Sequence, residues 1–138
     1  EIILPLDAVV ADEFADDVET KIVSIHKVPL DKMILDVGPE SVANVAKILE
    51  GCKTVLWNGP MGAFEIALFA QGTFQLARQV ASLTKAGKLV SVAGGGDTVA
   101  ALNAAGVADD FTYVSTAGGA FLEWLEGVEL PGIVALTR

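Results

Sequence analysis

Residues 94 to 98 read Gly-Gly-Gly-Asp-Thr and lie between a short apolar stretch and a helical pattern. Glycines adopt positive φ and carry no Cβ, while the N-terminus of a helix presents unpaired N–H groups and the positive end of its dipole. The junction therefore favours phosphate binding. Asp97 would repel a phosphate unless a cation lay between them, so it is a candidate ligand of nucleotide-bound Mg²⁺, directly or through water. Alternatively, the stretch is a tight turn in which Asp97 and Thr98 cap the helix.

Two further loops follow short apolar stretches, and both are rich in small residues. The first runs from Asn58 to Gly62 and leads to Glu65, whose carboxylate is of the kind that accepts both hydroxyls of a ribose. On spacing alone, a glutamate in the first turn of a helix is the simpler interpretation of Glu65. The second loop, residues 115–119, is either a helix start capped by Ser115 or Thr116, or a second helix N-terminus facing a phosphoryl group.

Alternating strands and helices are predicted to position these loops. From residue 41 onward the pattern is helix, strand, helix, strand, helix, strand, helix, which is typical of a parallel sheet covered by helices on both faces. Ligands of such sheets bind at the carboxyl ends of the strands, so we expect the three loops at one edge. The predicted strands are 2–4, 8–11, 21–25, 54–57, 89–93 and 111–114, and the stretch around 33–37 is predicted to be rich in loops. The predicted helices are one that follows Ser41 and ends at Gly51, one from about Ile66 or Phe69 to Lys85, one from Thr98 to Ala105, and one through Phe121, Leu122 and Leu125 to Gly127.

Composition limits the classes of function. The chain has 138 residues, 52% of them hydrophobic and 20% charged, which predicts one globular domain. With 18 acidic against 9 scattered basic residues the net charge is −9, so neither nucleic acid nor an anionic membrane is an expected partner. The single cysteine, Cys52, excludes an internal disulfide, and the composition predicts a soluble, cytoplasmic protein. The chain starts at Glu1 followed by an apolar run, which suggests a beginning inside a larger domain.

The loops together are more specific than any one alone. In order and spacing the chain resembles the phosphoglycerate kinase family over essentially its whole length. The residues that carry the resemblance are Leu35-Asp36-Val37-Gly38-Pro39, Trp57-Asn58-Gly59-Pro60, Gly62-Ala63-Phe64-Glu65, Ala93-Gly94-Gly95-Gly96-Asp97-Thr98, and the stretch from Ser115 to Glu123.

This resemblance implies a glycolytic enzyme, a monomer of two lobes that transfers a phosphoryl group between 1,3-bisphosphoglycerate and ADP with Mg²⁺, giving 3-phosphoglycerate and ATP. The fold implied is α/β, a three-layer αβα arrangement with a Rossmann-like parallel sheet. Residues 1–138 would be a single partial domain, the later part of the C-terminal, nucleotide-binding lobe. The implied site has Glu65 at the ribose, Asn58, Gly59 and Pro60 at the nucleotide wall, Gly95, Gly96, Asp97 and Thr98 at the phosphates with Asp97 at the metal, and Gly118 and Gly119 facing the transferred group.

Two departures from the family pattern limit the expected activity. Ala117 stands where the family more often has a glycine, and the three loops contain no lysine or arginine. The family's basic substrate-binding residues lie on the other lobe, and its lysine-bearing loop would precede Glu1. Because phosphoryl transfer needs positive charge on the equatorial oxygens, we expect the chain to be inactive alone and to bind the acid substrate only with that lobe. The alternatives are a non-catalytic nucleotide-binding module and a folding fragment that self-associates through exposed strand edges.

Overall fold

An antiparallel sheet of three strands occupies the first part of the chain. The computed structural model describes residues 1–137. Strand β1 (Asp7–Ala11) lies between β2 (Lys21–Ser24) and β3 (Met33–Val37), and both neighbours run antiparallel to it. The turn between β1 and β2 contains the acidic stretch from Asp12 to Glu19. This small sheet lies beside two helices, since β1 contacts the helix Pro39–Glu50 and β3 contacts the helix Gln71–Lys85.

A parallel sheet of three strands forms the second part, as the alternating pattern predicts. The strands β4 (Thr54–Asn58), β5 (Val90–Gly94) and β6 (Tyr113–Ser115) lie in sequence order. The helices are α1 (Pro39–Glu50), α2 (Gln71–Lys85), α3 (Gly96–Ala104), α4 (Gly119–Leu125) and α5 (Pro131–Leu136). Since α2 connects β4 to β5 and α3 connects β5 to β6, each crossover returns the chain to the same edge of the sheet.

One main core holds the parallel sheet to its flanking helices. The apolar face of α2 supplies Leu76, Ala77 and Val80, which are at most 2% exposed. They pack with Trp57 of β4 and Leu102 of α3. Full burial of a large aliphatic side chain such as Leu76 or Val80 stabilises the fold by roughly 1.5–3 kcal/mol. The fold is the predicted α/β arrangement of a parallel sheet flanked by helices.

The structure corrects two predictions. Residues 2–4 form no strand: Ile2 is 86% and Leu4 71% exposed, because no other segment of the described chain pairs with them. The stretch Met33–Val37 is not a loop but β3, paired with β1. Gly38 and Pro39, which suggested a loop, instead end β3 and begin α1, where a proline in the first turn is readily accommodated. Helix α5 was not predicted.

A buried aspartate from the small sheet caps α1. Asp7 of β1 accepts hydrogen bonds from the N–H of Glu40 (3.0 Å), the N–H of Ser41 (2.9 Å) and the Ser41 hydroxyl (2.6 Å). Burial, the largest single influence, raises the pKa of Asp7, but these hydrogen bonds together outweigh it and hold the pKa below its usual value. The Asp7 carboxylate therefore joins the small antiparallel sheet to the start of α1.

Candidate functional site

The three strand ends of the parallel sheet lie in register. Asn58 at the end of β4 pairs with Gly94 at the end of β5, and Gly94 pairs with Ser115 at the end of β6. All three strands run in the same direction, so the loops that follow them open at one edge. The expected meeting of the three loops is therefore borne out by the topology.

The turn after β5 presents the start of α3 without a side-chain cap. Gly95 is the residue before the helix and has φ +105°, a conformation that side chains rarely adopt. The first backbone bond of the helix runs from the Val99 N–H to the Gly95 carbonyl, which leaves the N–H groups of residues 96–98 ahead of the helical ladder. The capping interpretation is wrong, since neither Asp97 nor Thr98 caps the helix.

Asp97 and Gly96 face outward from this turn. Both residues are exposed, and a Cβ built on Gly96 would meet nothing within 4 Å. Asp97 lies in the first turn of α3, beside the positive end of the helix dipole. The turn thus combines open space, unpaired N–H groups and one exposed carboxylate, which fits a phosphate group neutralised by a divalent cation.

Thr98 connects this turn to the loop after β4. Its side chain is buried (2% exposed), and its hydroxyl oxygen accepts a hydrogen bond of 2.8 Å from the N–H of Gly59. Gly59 itself has φ +93°. The Thr98 side chain therefore joins the two loops, so a phosphate bound at this turn would meet the backbone N–H of Thr98 rather than its hydroxyl.

The loop after β4 is tied down at its start. The indole N–H of Trp57 donates to the carbonyl of Gly59 (2.6 Å), and the Asn58 side-chain oxygen lies 3.6 Å from the position of a Cβ on Gly95. Asn58 is exposed, whereas Gly59 and Pro60 are half-buried. Asn58 and Gly59 thus lie against the turn of residues 95–98.

The loop after β6 lies against the same turn. The N–H of Gly95 donates to the Ser115 carbonyl (3.3 Å), and a Cβ on Gly118 would lie 3.7 Å from the Cα of Gly95. Gly118 has φ +53° and precedes α4, whose first residue is the exposed Gly119. The predicted cap by Ser115 or Thr116 is wrong, because the Ser115 hydroxyl oxygen accepts a hydrogen bond from Ala117 N–H within the loop.

Glu65 lies farther along the loop after β4. The main chain of this loop is held where the Met61 N–H donates to the Thr73 hydroxyl oxygen (3.0 Å) and where the Ala63 N–H donates to the Leu35 carbonyl (2.8 Å). Helix α2 begins only at Gln71, so Glu65 is not a first-turn glutamate. Its side chain is exposed, and no hydrogen bond within residues 1–137 joins it to the turn of residues 95–98.

A crevice of about 430 Å³ adjoins the same loop. Residues 34–37 of β3 form one wall and residues 60–63 the other, with Pro5, Asp7, Ala8 and Ile25 completing the lining. Of these residues, the sequence analysis assigned Pro60 alone to the nucleotide site. Leu35-Asp36-Val37 contributed to the family resemblance, but the sequence analysis predicted this stretch to be rich in loops, whereas it is part of β3.

Comparison with known proteins agrees with this geometry. The family profile described as phosphoglycerate kinase matches residues 1–128. The chain belongs to the phosphoglycerate kinase family. The phosphoglycerate kinase of Xanthobacter autotrophicus is 64% identical over all 138 residues, which are 35% of its own length.

Solved structures give the same family. The phosphoglycerate kinase from Coxiella burnetii superposes on 98% of this chain with a TM-score of 0.87 and 48% identity, and the enzyme from Pyrococcus horikoshii on 96% with a TM-score of 0.79 and 31% identity. The matched parts are 33% and 32% of those chains. This chain thus spans about a third of the phosphoglycerate kinases it matches.

Two further findings concern the described residues 1–137. No helix among them has the length and apolar character needed to cross a membrane. No three His, Cys, Asp or Glu side chains in that range are grouped closely enough to hold a metal ion.

Proposed function

We propose that this chain forms the nucleotide side of a phosphoglycerate kinase that transfers a phosphoryl group between 1,3-bisphosphoglycerate and ADP. The observation that carries the proposal is the register of the three strand ends, which brings the loops after β4, β5 and β6 to one edge. Membership of the phosphoglycerate kinase family supports the assignment of this reaction. A cytoplasmic location agrees with a glycolytic enzyme and is part of the proposal.

In this proposal the turn of residues 95–98 holds the phosphates. The N–H groups of Gly96, Asp97 and Thr98 point from an uncapped helix start, and the exposed Asp97 carboxylate supports Mg²⁺ beside them. Magnesium keeps several waters and uses few protein carboxylates when phosphates supply other ligands, so a single aspartate suffices. The bound ion supplies positive charge to the phosphate oxygens.

The loop after β4 holds the nucleoside. Asn58, Gly59 and Pro60 form a wall next to the phosphate turn, and Glu65 accepts the ribose hydroxyls. The Gly118 and Gly119 backbone at the start of α4 faces the transferred phosphoryl group.

The charge needed for transfer has to come from outside these loops. Residues 58–65, 94–98 and 115–119 contain no lysine or arginine. Lys53 and Lys88 lie at the opposite, amino-terminal ends of β4 and β5, and a five-residue strand spans roughly 16 Å. We therefore expect no turnover from a polypeptide of these 138 residues, which would bind MgADP weakly and bind the acid substrate only with further parts of a longer protein.

A second candidate, self-association of this polypeptide, is favoured by the free edge of β4. Within residues 1–137 the strand pairs with β5 alone, and its five residues contain no charge and no proline. Leu56 is 48% exposed there. An uncharged edge of this kind is a template for pairing with another strand, and the occupant we propose is β4 of a second copy.

The test of the nucleotide site is titration with MgADP, followed by tryptophan fluorescence. Trp57 is a built-in reporter because its indole N–H bonds to Gly59. Asp97→Ala should weaken binding at least tenfold, whereas Asp109→Ala, an exposed aspartate in the 3₁₀ turn before β6, should leave it unchanged. Equal affinity in the wild type and Asp97→Ala would contradict the metal assignment. No binding in any of the three would leave self-association as the candidate.

A further inference from the structure

Asp36 is a buried carboxylate for which the proposed nucleotide contacts have no use. It lies near the end of β3 and is 2% exposed. Its Oδ2 accepts a hydrogen bond of 2.8 Å from the N–H of Gly72, and its Oδ1 accepts one of 2.8 Å from Val37. No cation pairs with it among residues 1–137. A carboxylate buried without a counter-ion is costly, so its hydrogen bonds have to hold it in place.

The first of these bonds fixes the start of α2. Gly72 is the second residue of that helix, and its N–H is one of the groups that the helix itself leaves unpaired. Asp36 therefore caps α2 from a neighbouring strand, 36 residues earlier in the chain. A Cβ on Gly72 would lie 2.6 Å from the Asp36 Oδ1, so only glycine allows this approach.

The same carboxylate also lies against the loop after β4. A Cβ on Gly62 would overlap the Asp36 Oδ1 and crowd the Leu35 carbonyl, so the loop passes directly over these groups. On either side of Gly62 the loop is bonded to the two elements that Asp36 joins, at Met61 to Thr73 of α2 and at Ala63 to Leu35 of β3. The path of the loop thus depends on how β3 and α2 are held together.

We propose that Asp36 is a positioning residue for nucleotide binding: by joining the start of α2 to β3 it sets the path of residues 58–65. That loop carries Asn58, Gly59 and Pro60 at one end and Glu65 at the other. Being buried, Asp36 does not touch the nucleotide; it acts through Gly62 and Gly72. The inference rests on the proposed function, since the effect on affinity presupposes that residues 58–65 hold the nucleoside.

The chain offers a matched control in Asp7. This aspartate is equally buried (3% exposed), comes from the same small sheet and also caps a helix, α1. Its hydrogen bonds go to Glu40, Ser41 and no residue of the loop 58–65. Loss of a buried, capping carboxylate is therefore common to Asp7→Asn and Asp36→Asn, while the effect on the loop is specific to the second.

The experiment compares the wild-type chain with Asp36→Asn and Asp7→Asn. Urea unfolding first establishes conditions under which all are folded. The dissociation constant of MgADP and the indole N–H resonance of Trp57 without nucleotide are then measured, because that N–H bonds to Gly59 of the loop. We expect Asp36→Asn to raise the dissociation constant five- to tenfold and to shift the resonance, and Asp7→Asn to change the constant less than twofold.

If Asp36→Asn does not fold, a second variant, Gly72→Ala, tests the same inference. Gly72→Ala keeps the charge but pushes a methyl group against the Asp36 carboxylate and against Val37 Cγ2, the next residue of β3. Alanine is otherwise well tolerated inside a helix. This variant should shift the Trp57 resonance in the same way.

An unmoved Trp57 resonance in both Asp36→Asn and Gly72→Ala, or an equal loss of affinity in Asp7→Asn, would overturn the inference. Should the wild type fail to bind MgADP while the resonance moves only in the Asp36 and Gly72 variants, the proposed function fails and the positioning of the loop by Asp36 is supported.

Discussion

The hydroxyl oxygen of Thr98 accepts a hydrogen bond of 2.8 Å from the backbone N–H of Gly59. This bond joins the start of α3 to the loop after β4, 39 residues earlier in the chain. Within a phosphoglycerate kinase, it would couple the part of the site that holds the phosphates to the part that holds the nucleoside.

Replacing Thr98 by valine tests this coupling. Valine keeps the shape but removes the acceptor, which leaves the Gly59 N–H without its partner and should lower the free energy of unfolding by about 1–3 kcal/mol. Because the loop is displaced as a whole, adenosine and MgADP should lose affinity by the same factor. Thr98→Ser keeps the hydroxyl and is the control. A loss confined to MgADP would instead indicate direct contact of the hydroxyl with phosphate.

Gly95 and Gly96 should respond differently to alanine. Gly95→Ala forces a side chain into φ +105° and should cost about 1–3 kcal/mol of folding stability, measured by urea unfolding. Gly96→Ala adds a methyl group to open space in a helix and should leave stability nearly unchanged. The same methyl lies at the uncapped N–H groups, so MgADP affinity should fall several-fold. Unchanged affinity of Gly96→Ala would contradict close approach of phosphate there.

Asp7 should make the free energy of unfolding decrease as the pH falls into the acid range. Its folded pKa is lowered, so its contribution is present above the unfolded value of about 3.9 and is lost as the pH falls through the folded pKa. The cost of Asp7→Asn should therefore be largest near neutral pH and shrink in acid. Urea unfolding between pH 3 and 7 measures this; a cost that does not depend on pH would contradict the assignment.

Asp36 should make the free energy of unfolding depend on pH in the opposite direction. Burial raises the pKa of Asp36 although the N–H groups of Gly72 and Val37 oppose the shift. Its contribution is fully present below about pH 3.9 and is lost as the pH rises through the folded pKa. Relative to the wild type, Asp36→Asn should therefore become more stable as the pH rises over the same series. A relative loss of stability with rising pH would contradict the direction of the shift.

Leu56 offers a test of self-association. Leu56→Lys places a charge on the exposed edge of β4 and should reduce association of the polypeptide, measured by light scattering across a concentration series. Val90→Lys changes a comparably exposed residue of the central strand β5 and is the control. Association that persists unchanged in Leu56→Lys would exclude β4 as the contact.

Hydrophobic periodicity predicted the strands and helices whose structure is decided by the local sequence. Strands β4 to β6 and helices α1 to α3 carry clear apolar patterns and end in glycine-rich turns, so their order gave the parallel sheet and the common edge of the loops. Strand β3 was missed because its exposed Met33 and Ile34 depend on pairing with β1. Residues 2–4 were wrongly predicted to form a strand, because an apolar run becomes a strand only when a partner strand pairs with it.

The candidate site was predictable as a set of loops but not as a set of bonds. The glycine positions indicated where the backbone would turn, and positive φ at Gly59, Gly95 and Gly118 agrees with that. The buried role of the Thr98 side chain and the capping of α2 by Asp36 arise from contacts across 39 and 36 residues. Local patterns carry no information about contacts at such separations.

The most direct test is a map of backbone amide chemical shifts on addition of MgADP. The largest changes are expected at the common edge of the sheet, at Gly96, Asp97, Gly118 and Gly119, with further changes at Asn58 and Glu65. Lys53 and Lys88, at the opposite edge, should stay unchanged. Changes centred on Lys53 and Lys88, or none at residues 95–98, would contradict the claim that the three loops form the nucleotide site.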